Sequence, residues 1–224
     1  MCENLIFIKK DDKVIKSDFM IAQYPVTIKE FQEMFEKQAG DPENAKYIKE
    51  STWMEAIKYC NLLNIKKELP LSYDENTGEL IDENGERIEE ILEIEGFRFP
   101  SSRVKGFRLP TSEEWEYVAK GRSLERQTGS YLKILQEIYT DWNIDTRCSE
   151  IEKMKSNTIG LFGILENREW YSDNKNLEGL KNKMCLWEEY ICNYNNDLSY
   201  QVIRKISNDT ELTGFRVTVG QKTR

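Results

Sequence analysis

The most reactive side chains in this sequence are its cysteine thiols, and histidine is absent from the chain. Without histidine there is no Ser-His-Asp or Cys-His catalytic site, no histidine-ligated zinc and no facial triad for non-haem iron. The thiols are odd in number and scattered, at Cys2, Cys60, Cys148, Cys185 and Cys192. No close CxxC pair occurs, and the N-terminal charges follow the apolar stretch, the reverse of a secretory signal. We therefore expect reduced thiols and a cytoplasmic protein.

The overall charge of the chain restricts its partners. The 224 residues include 32 basic and 40 acidic side chains, which gives a formal net charge of −8. An acidic protein is poorly suited to nonspecific binding of nucleic acid or of anionic membranes. The net charge does not exclude a local basic patch. No apolar run approaches the ~20 residues of a membrane-spanning helix. The sequence thus favours a protein partner or a small ligand.

Three stretches share the helix-start signal Thr-x-x-Glu. In such a capping box the threonine hydroxyl accepts from the glutamate N–H, and the glutamate carboxylate accepts from the threonine N–H. The boxes are Thr27 with Glu30, Thr52 with Glu55 and Thr111 with Glu114. Because each box precedes an apolar stripe, they predict helices near 27–38, 52–64 and 112–120. Cys60 lies on the second stripe, which indicates a core residue instead of a nucleophile.

The remaining pattern is that of short strands and long connections. Strands are predicted at 4–8, 13–24, 200–206 and 214–219, and residues 130–139 have helical spacing. Residues 65–97 are polar and contain the turn sequences Asn76–Gly78 and Asn84-Gly85, which favour a hairpin insertion over a linker between domains. We expect a single α+β domain over residues 1–224, with about three helices, short antiparallel sheets and little regular secondary structure.

Several motifs, taken in order, resemble those of the formylglycine-generating enzyme (sulfatase-modifying factor) family. The string from Arg108 to Gly121 is similar to the family signature Arg-Leu-Pro-Thr-Glu-x-Glu-Trp-Glu-Tyr-Ala-x-x-Gly. Shorter matches keep the family order, at Phe19–Thr27, Trp53–Asn64, Asn157–Phe162 and Gly214–Val217. The resemblance runs from about Phe19 to Val219, and it implies a C-type-lectin-like fold.

The resemblance also implies a calcium site, at which the sequence departs from the family. The family's Gly-Asn-Val-Trp-Glu-Trp, which supplies calcium ligands, corresponds here to Glu166–Trp170, which is one residue shorter and lacks the glycine. Asn167 and Glu169 are the residues that still offer oxygen ligands. We expect no metal, with this pair kept as the calcium candidate.

A second implied site, the copper centre of the oxidase branch, departs further. That branch binds copper through two cysteines about five residues apart, and soft thiolates suit Cu(I). Cys185 and Cys192 are seven positions apart. Arg204 matches a family arginine, and counting back eight residues from it reaches Asn196 where a cysteine is expected. The related sulfoxide synthases hold iron through histidines, which this chain does not have.

These departures favour a non-catalytic recognition or scaffold protein that binds a protein partner or a ligand. The family includes variable proteins of diversity-generating retroelements, which use the same scaffold for recognition. The candidate binding residues are Trp187, Tyr190, Tyr194, Asn195, Asn196 and Arg204. Aromatic and amide side chains of this kind suit a binding surface. We expect the segment from Tyr171 to Asp209 to form much of this surface, with an irregular backbone at the rim of the domain.

Two other functions remain open at this point. One is a copper-dependent cysteine oxidase that acts on a peptide substrate, with Cys185 and Cys192 as its catalytic pair and copper as its cofactor. The other is a structural subunit whose enzymatic ancestry is incidental. The segment from Tyr171 to Asp209 would then only cover the core.

Overall fold

A computed structural model of the protein describes residues 4–10, 15, 17–35, 41–88, 104–119, 150–154, 156–164, 167, 169–172, 184–192, 198–206 and 212–220. For 184–192 and 198–206 the description concerns the backbone. The helices are α1 (Ile28–Phe35), α2 (Trp53–Lys66) and α3 (Ser112–Ala119), with 3₁₀ helices at Pro42–Lys46 and Ile151–Lys153. The strands are β1 (Leu5–Ile8), β2 (Phe19–Ala22), β3 (Phe107–Arg108), β4 (Glu169–Tyr171), β5 (Met184–Cys192), β6 (Leu198–Ile206) and β7 (Thr218–Gly220).

The strands form two antiparallel sheets. One has four strands in the order β1-β2-β7-β3, and the other has three strands in the order β4-β5-β6. In the first sheet Thr218 of β7 lies between Ile21 of β2 and Arg108 of β3. The C-terminal strand therefore joins the N-terminal hairpin to the strand that leads into α3.

All three capping boxes predicted from the sequence are confirmed. At α1 the two reciprocal hydrogen bonds between Thr27 and Glu30 are both 3.1 Å long. The corresponding distances are 2.8 and 3.2 Å at α2. At α3 they are 2.9 and 3.2 Å. Each helix therefore begins at the position that local hydrogen bonding selects.

The bounds of several elements differ from the predictions. Helix α2 continues two residues beyond the predicted end, and the chain leaves it through Glu68 at a positive φ of 55°. Within the described residues of the strand predicted over 13–24, the ladder is formed at Phe19–Ala22. The strand predicted over 214–219 is observed at Thr218–Gly220. The 130–139 segment and the end of the first predicted helix lie outside the described residues.

Residues 65–88 make the two predicted turns, and they also pack into the interior. Isolated bridges join Tyr73 to Leu80 and Ile81 to Arg87. Gly78 has φ +72°, and a Cβ atom there would lie 2.6 Å from the Trp53 ring, so the turn needs glycine for both its conformation and its space. The side chains of Tyr73 and Leu80 are buried in the same cluster as α2. Residues 89–97 of the predicted insertion lie outside the described residues.

The core consists of two apolar clusters. The larger contains the inner face of α2, including the fully buried Cys60, together with the 73–88 turns, Trp170 and Phe215. The smaller packs α3 against the β1–β2 hairpin through Trp115, Phe19 and Ile21. The prediction that Cys60 is a core residue is therefore confirmed. Among the described segments, no helix has the length and apolar character needed to span a bilayer.

Candidate recognition surface

The candidate recognition surface is carried by the sheet β4-β5-β6. A buried ion pair anchors its first strand, β4, to the rest of the molecule. Arg216 and Glu169 are both fully buried and form this pair. Glu169 Oε2 accepts hydrogen bonds from Arg216 Nε at 2.7 Å and from Trp115 Nε1 at 2.9 Å. The guanidinium also donates to the carbonyl oxygens of Ala22 and Phe162 at 3.2 and 2.9 Å. One carboxylate thus ties β4 to α3 and to the N-terminal sheet.

Hydrogen bonds to other parts of the chain also hold Trp170 of β4 and Ser172, which follows the strand. Trp170 donates its Nε1–H to the carbonyl oxygen of Ser51 at 2.8 Å, and its backbone N–H to that of Gly214 at 3.0 Å. Ser172 N donates to the carbonyl oxygen of Pro110 at 2.9 Å. Because these partners come from three distant parts of the chain, β4 is a rigid base for the sheet that grows from it.

A second buried ion pair holds the strand that leads into α3. Arg108 donates from its terminal nitrogens to both oxygens of Glu114 at 2.7 Å, and to Thr218 Oγ1 at 2.9 Å. Burial acts to lower the pKa of the Arg108 guanidinium, but the adjacent Glu114 carboxylate outweighs burial, so that the pKa is raised and the charge retained. The carboxylate that closes the capping box therefore also neutralises a buried arginine.

Strand β5 extends the sheet well beyond this anchored base. β4 pairs only with the first part of β5, from Met184 opposite Tyr171 to Leu186 opposite Glu169. β5 and β6 then remain paired from Met184 opposite Ile206 to Cys192 opposite Leu198. In the described backbone, the hairpin past Leu186 is thus a two-stranded antiparallel ribbon.

This ribbon corrects the expectation of an irregular backbone between Tyr171 and Asp209. The two longer described parts of the segment, 184–192 and 198–206, are continuous strands. Strand β5 is difficult to predict from its sequence, Met-Cys-Leu-Trp-Glu-Glu-Tyr-Ile-Cys. Two adjacent glutamates interrupt the alternation of apolar and polar residues that indicates a strand. The physical reason for the correction is the cross-strand ladder, which local sequence patterns do not reveal.

The register places the predicted binding residues. Tyr190 lies opposite Tyr200, Trp187 opposite Ile203 and Arg204 opposite Leu186. Since successive residues of a strand alternate between faces, Tyr190, Tyr200 and Arg204 belong to one face of the hairpin and Trp187 to the other. Tyr194, Asn195 and Asn196 fall in the connection between the strands, outside the described residues.

The same strand separates the two thiols of the proposed copper pair. Cys185 and Cys192 lie near opposite ends of β5. Seven steps along an extended strand span about 23 Å, at about 3.3 Å per residue. Two thiolates that share a metal ion lie at most about 4.6 Å apart, twice the ~2.3 Å metal–sulfur bond. The described backbone is therefore incompatible with a copper centre formed by these two cysteines of one chain.

The two candidate calcium ligands, Glu169 and Asn167, already form hydrogen bonds within the protein. Glu169 already receives three hydrogen bonds from Arg216 and Trp115, and a cation beside the Arg216 guanidinium would be repelled. Asn167 donates its side-chain amide to the carbonyl oxygen of Gly163 at 3.3 Å. In the described part of the chain, no group of three or more acidic, cysteine or histidine side chains is arranged to hold a metal ion. This geometry argues against Glu169 as a calcium ligand.

The chain also matches a known protein family over most of its length. Residues 9–218 match the model of the Sulfatase-modifying factor enzyme 1-like domain. The chain belongs to this family. The predicted α+β class, with three helices and short antiparallel sheets in a scaffold of the formylglycine-generating type, is confirmed with it.

Two solved structures share the fold at low identity. Treponema denticola variable protein 1 superposes with a TM-score of 0.57 at 19% identity, over 97% of this chain and 93% of that chain. The structure of CarF gives a TM-score of 0.52 at 17% identity, over 98% of this chain and 94% of that chain. At such identities the likeness establishes the fold alone.

A curated relative is more similar in sequence. Chaperone protein LppX of Paenibacillus barcinonensis is 29% identical over 184 residues, which cover 71% of this chain. The match spans 64% of the length of LppX, so about a third of that relative has no counterpart in the aligned region.

Proposed function

We propose that this member of the sulfatase-modifying factor family is a non-catalytic recognition protein that binds a polypeptide partner through the β5–β6 hairpin. One observation carries the proposal, namely that β5 is a continuous strand. A continuous β5 keeps Cys185 and Cys192 too far apart for a shared metal, and it also builds the ribbon that carries the aromatic residues. The same element thus argues against oxidase chemistry and in favour of binding.

The composition of the hairpin suits recognition. Tyrosines such as Tyr190 and Tyr200 provide a large contact area while few rotatable bonds are immobilised. Arg204 shares their face and adds a planar donor group that can pair with carboxylates or carbonyl oxygens of a partner. The anchored strand β4 limits the entropy lost on binding, because the base of the ribbon is already ordered.

The relative named as a chaperone supports a polypeptide as the partner. A chaperone has to contact another protein chain, and a two-stranded ribbon with aromatic residues is suited to such contacts. The acidic net charge of −8 fits this class of partner better than nucleic acid. We therefore propose a protein partner, in preference to a small molecule.

The variants Tyr190→Ala and Tyr194→Ala test the proposal. We expect each to abolish co-purification of the partner from native lysate while the melting temperature stays nearly unchanged, because contact side chains are lost and core side chains are not. The control is Ile65→Ala, since Ile65 is an exposed large side chain, 59% accessible, near the end of α2. Unfolding of both hairpin variants, or an equal loss in the control, would contradict the assignment.

Copper binding is the corresponding test of the oxidase function. Titration of the reduced protein with Cu(I), under anaerobic conditions and against a competing chelator, is expected to show no tight one-to-one complex, because the two thiols of β5 cannot reach one ion. Tight stoichiometric binding that disappears in both Cys185→Ser and Cys192→Ser would overturn this expectation and restore the oxidase hypothesis.

A further inference from the structure

A cavity of about 290 Å³ lies away from the hairpin, where β2 leads into α1. Its walls come from the segment after β2, from the first turns of α1 and from the two 3₁₀ helices. Tyr24, Pro25, Val26 and Ile151 form its apolar lining, whereas Lys29, Glu30 and Glu33 supply charge. The volume lies just below the range for ligand sites, about 300–1,000 Å³, which suits a single side chain better than a larger ligand.

The apolar wall is preformed. Tyr24 stacks on Phe162 with ring centroids 4.7 Å apart. Val26 donates its N–H to the carbonyl oxygen of Phe215 at 2.8 Å and accepts from the N–H of Lys49 at 2.8 Å. Because the backbone on this side is hydrogen-bonded to two other parts of the chain, the cavity does not have to be created when a ligand binds.

The charged wall favours a cation. Two carboxylates and one ammonium group line the cavity, which leaves an excess of one negative charge. Glu30 Oε2 is held by Thr27 in the capping box. Glu33 lies a turn further along α1 and forms an ion pair with Lys29 Nζ at 4.0 Å, the outer limit of such a pair. Both side chains of this pair are only partly exposed, 35% for Lys29 and 25% for Glu33.

The ion pairs of the two 3₁₀ helices beside the cavity leave no excess of positive charge. On the 3₁₀ helix next to the cavity, Lys46 is paired with Glu43 at 3.0 Å. On the other 3₁₀ helix Lys153 pairs with Glu150, and Glu152 adds another carboxylate near Lys46. The net charge of the whole chain, −8, acts in the same direction over a longer range.

We infer that this cavity is a binding site for one basic side chain, lysine or arginine, presented by another polypeptide. The aliphatic stem of the guest packs against Tyr24, Pro25 and Val26, and its cationic head lies beside the Glu33 carboxylate. The inference rests on the cavity and its charges, so it holds or fails independently of the hairpin assignment.

The test is a titration of the labelled full-length protein, followed by nuclear magnetic resonance, with two small probes. The probes are Nα-acetyl-lysine methylamide, whose side-chain ammonium group is free, and its uncharged analogue Nα-acetyl-norleucine methylamide. The two side chains have the same four-carbon stem. We expect the lysine probe to shift the signals of Val26, Ala45 and Ile151, and to bind about tenfold more tightly than the norleucine probe. Equal affinities for the two probes, or shifts confined to other regions, would overturn the inference.

Two variants make the test specific. Glu33→Gln is expected to weaken lysine-probe binding about tenfold without changing norleucine-probe binding, whereas Lys29→Gln is expected to strengthen lysine-probe binding. Both residues are partly exposed on α1, so the fold is expected to tolerate either change. Glu86→Gln, at an exposed position in the 73–88 turns, is the matched control and should leave both affinities unchanged. An unchanged lysine-probe affinity in Glu33→Gln would also contradict the inference.

Discussion

Glu169→Gln is expected to lower the free energy of unfolding by about 3–5 kcal/mol, although glutamine has nearly the same shape as glutamate. Glu169 is fully buried and supplies the only carboxylate in the described structure that is paired with Arg216. Loss of its charge leaves the buried guanidinium uncompensated, and the NH₂ group of glutamine cannot accept the hydrogen bond that Arg216 donates to the second carboxylate oxygen. Urea unfolding followed by tryptophan fluorescence measures the effect.

The matched control for this variant is an ion pair on the surface. Glu83 pairs with Lys105, and both side chains are nearly half exposed, 47% and 45%. Because exposed pairs contribute about 0–1 kcal/mol, Glu83→Gln should change stability by no more than this. The double variant Glu169→Leu with Arg216→Met should be more stable than Glu169→Gln, since it removes the stranded charge as well. A loss below about 1 kcal/mol for Glu169→Gln would show that the pair does not anchor β4.

Trp115→Ala is expected to destabilise the protein by about 3–5 kcal/mol, the usual cost of removing a buried tryptophan. The Trp115 ring is fully buried in the smaller core cluster, between α3 and the β1–β2 hairpin. Its removal leaves a cavity among apolar side chains and deprives Glu169 of the Nε1–H donor at 2.9 Å. Unfolding in urea again provides the measurement.

The conservative variant Trp115→Phe separates the two contributions. Phenylalanine keeps most of the apolar packing but lacks the N–H group, so its cost should be clearly smaller than that of alanine. Because Trp115 and Glu169 are in contact, the effects of Trp115→Ala and Glu169→Gln are expected to be non-additive. A cost below about 1 kcal/mol for Trp115→Ala would mean that the ring is not part of the core.

The sequence predicts the features of the fold that depend on neighbouring residues. The three helix starts were predictable because each capping box joins residues three positions apart, such as Thr111 and Glu114. The turn at Gly78 was predictable for the same reason, since a positive φ selects glycine locally. The ordered motifs then indicated the family and its fold.

Interactions between distant residues were not predictable in this way. Arg216 and Glu169 are 47 positions apart, and Arg108 and Thr218 are 110 apart. A charged residue inside an apolar strand, as in Phe-Arg-Leu-Pro, was the available signal for Arg108, but the sequence does not name its partner. In the same way the residues of the hairpin could be selected by type, whereas their register and faces come from the β5–β6 ladder.

The most direct test of the recognition hypothesis is site-specific photo-crosslinking. A benzophenone side chain is placed at the position of Tyr190, of Tyr200 or, as the control, of the exposed Ile65 near the end of α2, and each protein is irradiated in native lysate. We predict that a covalent adduct with the same partner protein forms from the two hairpin positions, is absent at Ile65 and is suppressed by excess unlabelled protein. No adduct from either hairpin position, or equal adducts from all three positions, would contradict recognition by the β5–β6 hairpin.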